Sequence, residues 1–135
     1  MEICYITTDL DFESIEDLSP IVEEIGERLL PSHNQWIDDK YLVVMAYPTD
    51  YDTPEKTVAA YCGILEGLSE SSKALWRGCH YRVLDIAFES GETPSRFYSQ
   101  LSGSLISRLG ALGISIAISI YPVGHYSNEP PEVSA

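Results

Sequence analysis

CYITTDLDFESIEDLSP at residues 4–20 and HYRVLDIAFESGETPSR at residues 80–96 are two versions of one phrase. Aligned from Cys4 and His80, Tyr5 falls on Tyr81, Asp9 on Asp85, and Phe12-Glu13-Ser14 on Phe88-Glu89-Ser90. Glu16 matches Glu92, and Ser19 matches Ser95. A helical pattern follows each copy. Each pattern then gives way to a strand ending in Tyr-Pro, YLVVMAYP at 41–48 and ISIAISIYP at 114–122. A recurring order of elements is the signature of internal duplication. The chain reads as strand–helix–strand, a connecting helical segment, and strand–helix–strand again.

The elements carry their own signals. Ser19 is placed to cap the first helix and Pro20 fits its first turn, where a missing N–H costs nothing. Ile21, Ile25 and Leu29 then share one face. Thr53-Pro54-Glu55 opens the connecting segment in the same way. Val58, Tyr61, Cys62, Leu65 and Leu68 form its apolar stripe, and Ser69-Glu70-Ser71-Ser72 predicts a break into two helices, with Gly78 closing the second. The last helix is expected to open at Thr93-Pro94-Ser95 and run through Phe97, Leu101, Leu105, Leu109 and Leu112 to Gly113. Gly63 with Gly67, and Gly103 with Gly110, interrupt helices at about 1 kcal/mol each. They predict close backbone approach to a neighbouring element.

In the third strand Leu84, Ile86 and Phe88 oppose Val83, Asp85 and Ala87. In the last, Ile114, Ile116, Ile118 and Ile120 oppose Ser115, Ala117, Ser119 and Tyr121. Strands with one apolar and one mixed face call for helices on one side of a sheet. The fold class expected is therefore α+β: a ferredoxin-like variant of two pseudo-repeated βαβ halves, residues 1–52 and 79–126, with connecting helices at 53–78 inserted. A four-stranded parallel α/β sheet is the alternative. Residues 1–126 form one domain in this reading, and 127–135, SNEPPEVSA, a disordered tail.

Bulk properties exclude several functions. The 135 residues are one domain's worth and bury roughly two-thirds of the unfolded surface. No run approaches the roughly 20 apolar residues that span a bilayer, and the acidic start does not resemble a signal peptide. Three widely spaced cysteines, Cys4, Cys62 and Cys79, read as reduced, mostly buried thiols of a cytoplasmic protein. The net charge of −13 argues against nucleic acid and against anionic membrane as partners. It is unevenly spread: residues 1–55 hold 14 acidic and two basic residues, while residues 56–135 are close to neutral.

The pattern FYSQLSGSLISRLGALGISIAISIYP, a helix ending in LGALG before a strand ending in IYP, resembles a family of small bacterial proteins catalogued as domain of unknown function 4279. The early acidic strand-to-helix turn and the Pro31…Trp36 loop add to the likeness, which covers most of residues 3–122. The resemblance implies no catalytic residues.

Signatures of chemistry are sparse. Walker A, GxGxxG, HExxH and GxSxG motifs are missing. Asp9-x-Asp11-x-Glu13 has the opening spacing of a calcium loop, but Ser14 stands where its Gly belongs and Pro20 where its Glu belongs. It reads as a solvated acidic turn before a helix. Cys4, Cys79, His80 and His125 include soft metal ligands and the partners of a Cys–His pair, but adjacent Cys79 and His80 on a strand point to opposite faces. We expect no metal and no cofactor, and the balance points away from catalysis.

The expectation is an acidic, non-enzymatic interaction domain that binds a basic protein, of the type of small acidic immunity proteins. Asp9, Asp11, Glu13, Glu16, Asp17, Glu23, Glu24 and Glu27 are the contact residues expected. The alternative is a small-molecule or enzymatic pocket at the Tyr-Pro strand ends, lined by Tyr47, Tyr121 and His125. Either a monomer or a homodimer through Ser115, Ala117 and Ser119 fits the pattern.

Overall fold

The computed structural model describes residues 2–49, 51–92 and 96–124. Five strands and four helices follow in the order β1 (Cys4–Ser14), α1 (Ser19–Ile25), a 3-10 turn (Gly26–Arg28), β2 (Leu30–Ile37), β3 (Lys40–Ala46), α2 (Pro54–Glu66), α3 (Glu70–Arg77), β4 (Tyr81–Glu89), α4 (Gly103–Ala111) and β5 (Ser115–Tyr121). They build one sheet in the order β2-β3-β1-β4-β5. Every neighbouring pair is antiparallel except β4 and β5.

The fold is α+β, and the sheet is mixed, which overturns the all-parallel alternative. The ferredoxin-like pseudo-repeat is not confirmed. The two halves connect differently, because the first contains a strand the sequence reading lacks. After α1 the chain runs through β2 parallel to β1, then turns back as β3 between them. In the second half β4, α4 and β5 make a direct parallel crossover. What does correspond is β1 and β4. They are antiparallel neighbours, with Asp9 directly opposite Asp85.

β2 occupies the stretch read as the Pro31…Trp36 loop. All eight of its residues are exposed, so no alternation of buried and exposed side chains marks it as a strand. Main-chain pairing with β3 makes it one, through a tight turn at Asp38-Asp39 in which Asp38 takes φ +56°. Aspartate tolerates that left-handed region better than most residues.

One core holds the molecule together. Leu10 and Phe12 of β1, Val43 and Met45 of β3, and Leu84 and Ile86 of β4 pack against Ile21, Ile25, Val58, Tyr61, Leu65, Trp76, Leu105 and Leu109 of the helices. All four helices contribute buried residues to this one cluster. The opposite face of the sheet is left to Asp9, Asp11 and Glu13 of β1 and their neighbours. Phe12 meets Trp76 edge-on at 5.1 Å, joining β1 to α3.

Helix ends follow the sequence in part. Thr53 caps α2 by accepting from the Lys56 N–H, and Ser69 caps α3 by accepting from Ser72. The break between them and the stop at Gly78 lie where expected. Ser19 does not cap α1. It is already helical, and Asp17 Oδ1 accepts its N–H at 2.8 Å. α4 starts at Gly103, capped by Ser102, so Phe97 and Leu101 precede it. The expected opening at Thr93-Pro94-Ser95 falls outside the described residues. The helix glycines do not serve close packing: a Cβ at Gly63, Gly103 or Gly110 would meet open space.

Two thiols, Cys62 and Cys79, are buried, and burial pushes each up to about 11; Cys4 is exposed. A thiol-reactive dye is expected to label Cys4 alone in the native protein, and all three cysteines once the chain is unfolded. Tyr61 is fully buried and donates its hydroxyl to the Thr8 carbonyl at 2.7 Å, tying α2 to the central strand. Tyr61→Phe is expected to cost about 1–2 kcal/mol in urea unfolding, because it leaves a buried carbonyl short of a partner.

Candidate functional site

The uncovered face of the sheet is the place where the fold concentrates charge. A strand sends alternate side chains to opposite faces. Burying Leu10 and Phe12 therefore sends Asp9, Asp11 and Glu13 to the other side. On β4, burying Leu84 and Ile86 does the same to Asp85. The spacing that opens like a cation loop is thus the outer face of a strand, not a turn.

Asp9, Asp11 and Asp85 stand together among small neighbours. One row across the sheet runs Ala46, Asp9, Asp85, Ala117; the next runs His33, Val44, Asp11, Val83, Ser115. The Ser119 hydroxyl donates to Asp85 at 2.7 Å from Oδ1 and 3.0 Å from Oδ2. Asp11 Oδ1 is out of reach of solvent and has no hydrogen-bond partner among the described residues. Burial, reinforced by the carboxylates of Asp9 and Asp85 and opposed by His33, pushes Asp11 up to about 6. The arrangement is an anionic patch flanked across the sheet by Ala46, Val44, Val83 and Ala117.

The eight acids expected to act together are divided by the fold. Asp9, Asp11 and Glu13 share the open face, while Glu23 and Glu24 lie on α1 and Glu27 in the 3-10 turn after it, in the helical layer. Glu13, Asp17 and Glu24 have structural roles. Glu13 Oε1 is 2.6 Å from His80 Nε2 and 3.9 Å from Lys40 Nζ. Asp17 holds the start of α1. Glu24 accepts from the Ser69 N–H and from the hydroxyls of Ser69 and Ser72, at 2.6–2.7 Å. Those bonds hold its carboxyl below the usual range and tie α1 to α3. Glu16, Glu23 and Glu27 are exposed.

Asp85 was not among the expected contact residues. Its signal is its equivalence to Asp9 in the repeat, which places the two face to face once the copies pair. Ser119 belongs to the small-residue face of the last strand and is in the same group.

Of the residues of the alternative site, Tyr47 and Tyr121 lie on different sides of the sheet. Tyr47 is on the helical side, packed on Tyr51 and Tyr61 at 5.7 and 5.5 Å. Tyr121 alternates with Ser119 toward the open face, and His125 lies outside the described residues. Clefts of about 470, 390 and 360 Å³ are lined by other residues. Cys4 pairs with Glu89 at one end of the β1–β4 ladder, and Cys79 adjoins its other end, so the two cysteines do not converge. Among the described residues no three His, Cys, Asp or Glu side chains are placed to hold a metal ion, and no helix is long and apolar enough to cross a membrane.

Comparison with protein-family models, with curated proteins and with solved structures finds no match to this chain.

The raised Asp11 group has a thermodynamic consequence. Between the ordinary carboxylate value of 3.8 and about 6, the folded protein binds a proton that the unfolded chain has released. Stability therefore falls as pH rises through that window. Asp11→Asn is expected to stabilise the protein by about 1 kcal/mol at neutral pH, the partial exposure of the site screening the effect. It is also expected to flatten the pH dependence of urea unfolding between pH 4 and 6.

Proposed function

We propose that this protein is a non-enzymatic interaction domain whose open sheet face receives a basic protein, in the manner of an immunity or adaptor protein. The observation that carries the reading is the grouping of Asp9, Asp11 and Asp85 on the sheet face opposite the four described helices, with one Asp11 oxygen buried and unpartnered among the described residues. Desolvated carboxylates are costly unless paired. A guanidinium or ammonium group seated over these carboxylates supplies the opposite charge. Glu13 and the exposed Glu16 extend the acidic field at the end of the same strand, which favours rapid, salt-sensitive encounter.

The test uses an oligoarginine peptide as a defined basic probe, read by fluorescence anisotropy. Binding to wild type is expected to weaken as salt rises. Asp11→Asn with Asp85→Asn should reduce affinity severalfold, while Glu23→Lys with Glu27→Lys on the helical side should change it little. The reverse ranking would overturn the proposal. Because Asp11 holds its proton up to about 6, affinity should also rise as pH is raised from 5 to 7.

A further inference from the structure

The two edges of the sheet are built in opposite ways. An edge strand presents unpaired N–H and C=O groups, and proteins blunt it with proline, charge or a bulge. β2 has Pro31, a register shift between Pro31 and His33, and a flanking Asp38-Asp39-Lys40 turn. β5, Ser-Ile-Ala-Ile-Ser-Ile-Tyr, has no proline and no charge, and it pairs with β4 without a shift. Among the described residues nothing pairs with its outer side.

The direction of its free groups is readable. The Tyr121 carbonyl accepts from the Ser90 N–H, so it points toward β4. Main-chain groups alternate along a strand, so those of Ile116, Ile118 and Ile120 point away from the sheet. The side chains of Ile118 and Ile120 are also exposed, at 58% and 66%. They border the 360 Å³ apolar cleft that includes Ile86, Phe88 and Leu101. α4 adds to this rim. At 3.6 residues per turn, Arg108 and Ile106 fall on opposite flanks of the buried Leu105–Leu109 line. Arg108 reaches Glu66 of α2 at 2.6 Å, so Ile106, half exposed, faces the β5 side.

Charge identifies what covers this edge. Residues 97–124 contain no aspartate or glutamate, and their one charged residue, Arg108, is paired with Glu66. Two copies of a chain carrying −13 each repel one another overall. This is the surface on which like-charged copies can approach, and an uncharged strand of alternating small and Ile residues complements itself when reversed.

We propose that two copies of the chain associate through antiparallel pairing of β5 with β5, forming one continuous ten-stranded sheet with the exposed isoleucines packed across the junction. The twofold axis stands perpendicular to the sheet, as antiparallel edge pairing requires. Both open faces then lie on the same side. The inference does not rest on the acidic face having a partner.

The experiment is sedimentation velocity across a micromolar concentration series, with hydrogen exchange on the same wild-type samples. The expected result is a reversible dimer that tightens as salt screens the repulsion, in contrast to the weakening with salt expected for a basic ligand. The amides of Ile116, Ile118 and Ile120 should become protected as concentration rises. Ile118→Lys should weaken dimerisation at least about tenfold while leaving the thermal melt of the monomer in place. If that variant does not fold, the wild-type exchange data decide alone. A monomer at every concentration with fast exchange at these amides overturns the proposal. So does a monomer in which they are already protected, which would mean that another segment of the same chain covers the edge. A dimer that leaves them unprotected places the interface elsewhere and overturns it too.

Discussion

Everything in this fold hangs on the register in which β1 meets β4. Placing Asp9 opposite Asp85 also places Leu10 opposite Leu84, and it puts Phe12 and Ile86 on the same side of the sheet. A slip of one residue would turn the apolar set out to water and bring the aspartates into the core. The core and the acidic patch are therefore two faces of one choice. Repulsion between facing carboxylates works against this register, and burial of Leu10, Phe12, Leu84 and Ile86 at roughly 1.5–3 kcal/mol for each side chain overrides it.

The helical layer is fastened to that frame by a few polar groups. The Arg82 guanidinium of β4 donates to the carbonyls of Trp76, Arg77 and Cys79 at the end of α3, and to Gly113 after α4. Helix C-termini leave carbonyls unsatisfied and carry partial negative charge; one arginine answers both ends at once. The turn at Gly113 is adapted to it: φ is +70°, and a Cβ there would come within 2.7 Å of Arg82 Nη2. Glu24 performs a matching service at the start of α3, where Ser69 and Ser72 gather on its carboxylate.

How much of this was legible in the sequence depended on whether a residue's role was local. Thr53, Ser69 and Gly78 act within a few residues of themselves, and the helices they bound lie where expected. The alternation in β4 tracks burial, so its faces were also readable; in β5 the apolar face was readable but Ile118 and Ile120 on it are exposed, and the Asp9–Glu13 part of β1 read as a turn. β2 was not, because a strand that buries no side chain leaves no alternation in the sequence. The late start of α4 was hidden by apolar residues at helical spacing: Phe97 packs on Phe88 from a non-helical stretch. For the site, Asp9 and Asp11 were visible as acids, but their separation from Glu23, Glu24 and Glu27 is a property of the third dimension. Asp85 needed the pairing of the two copies to be seen as a member of the group.

The exposure of β2 along its whole length gives the molecule an uneven distribution of local stability. Besides its main-chain ladder, β2 is joined to the rest through Tyr41, which donates to Asn34 at 2.6 Å and meets Trp36 edge-on, and through a longer contact from the Ser32 hydroxyl to the Val44 carbonyl. Peeling it away uncovers little of the apolar core, since Val43 and Met45 remain packed beneath the helices. The sheet thus has a detachable margin, with an opening free energy far below that of global unfolding. Each opening hands the outer rim of β3 to solvent and exposes the Leu30–Ile37 main chain to proteolytic nicking.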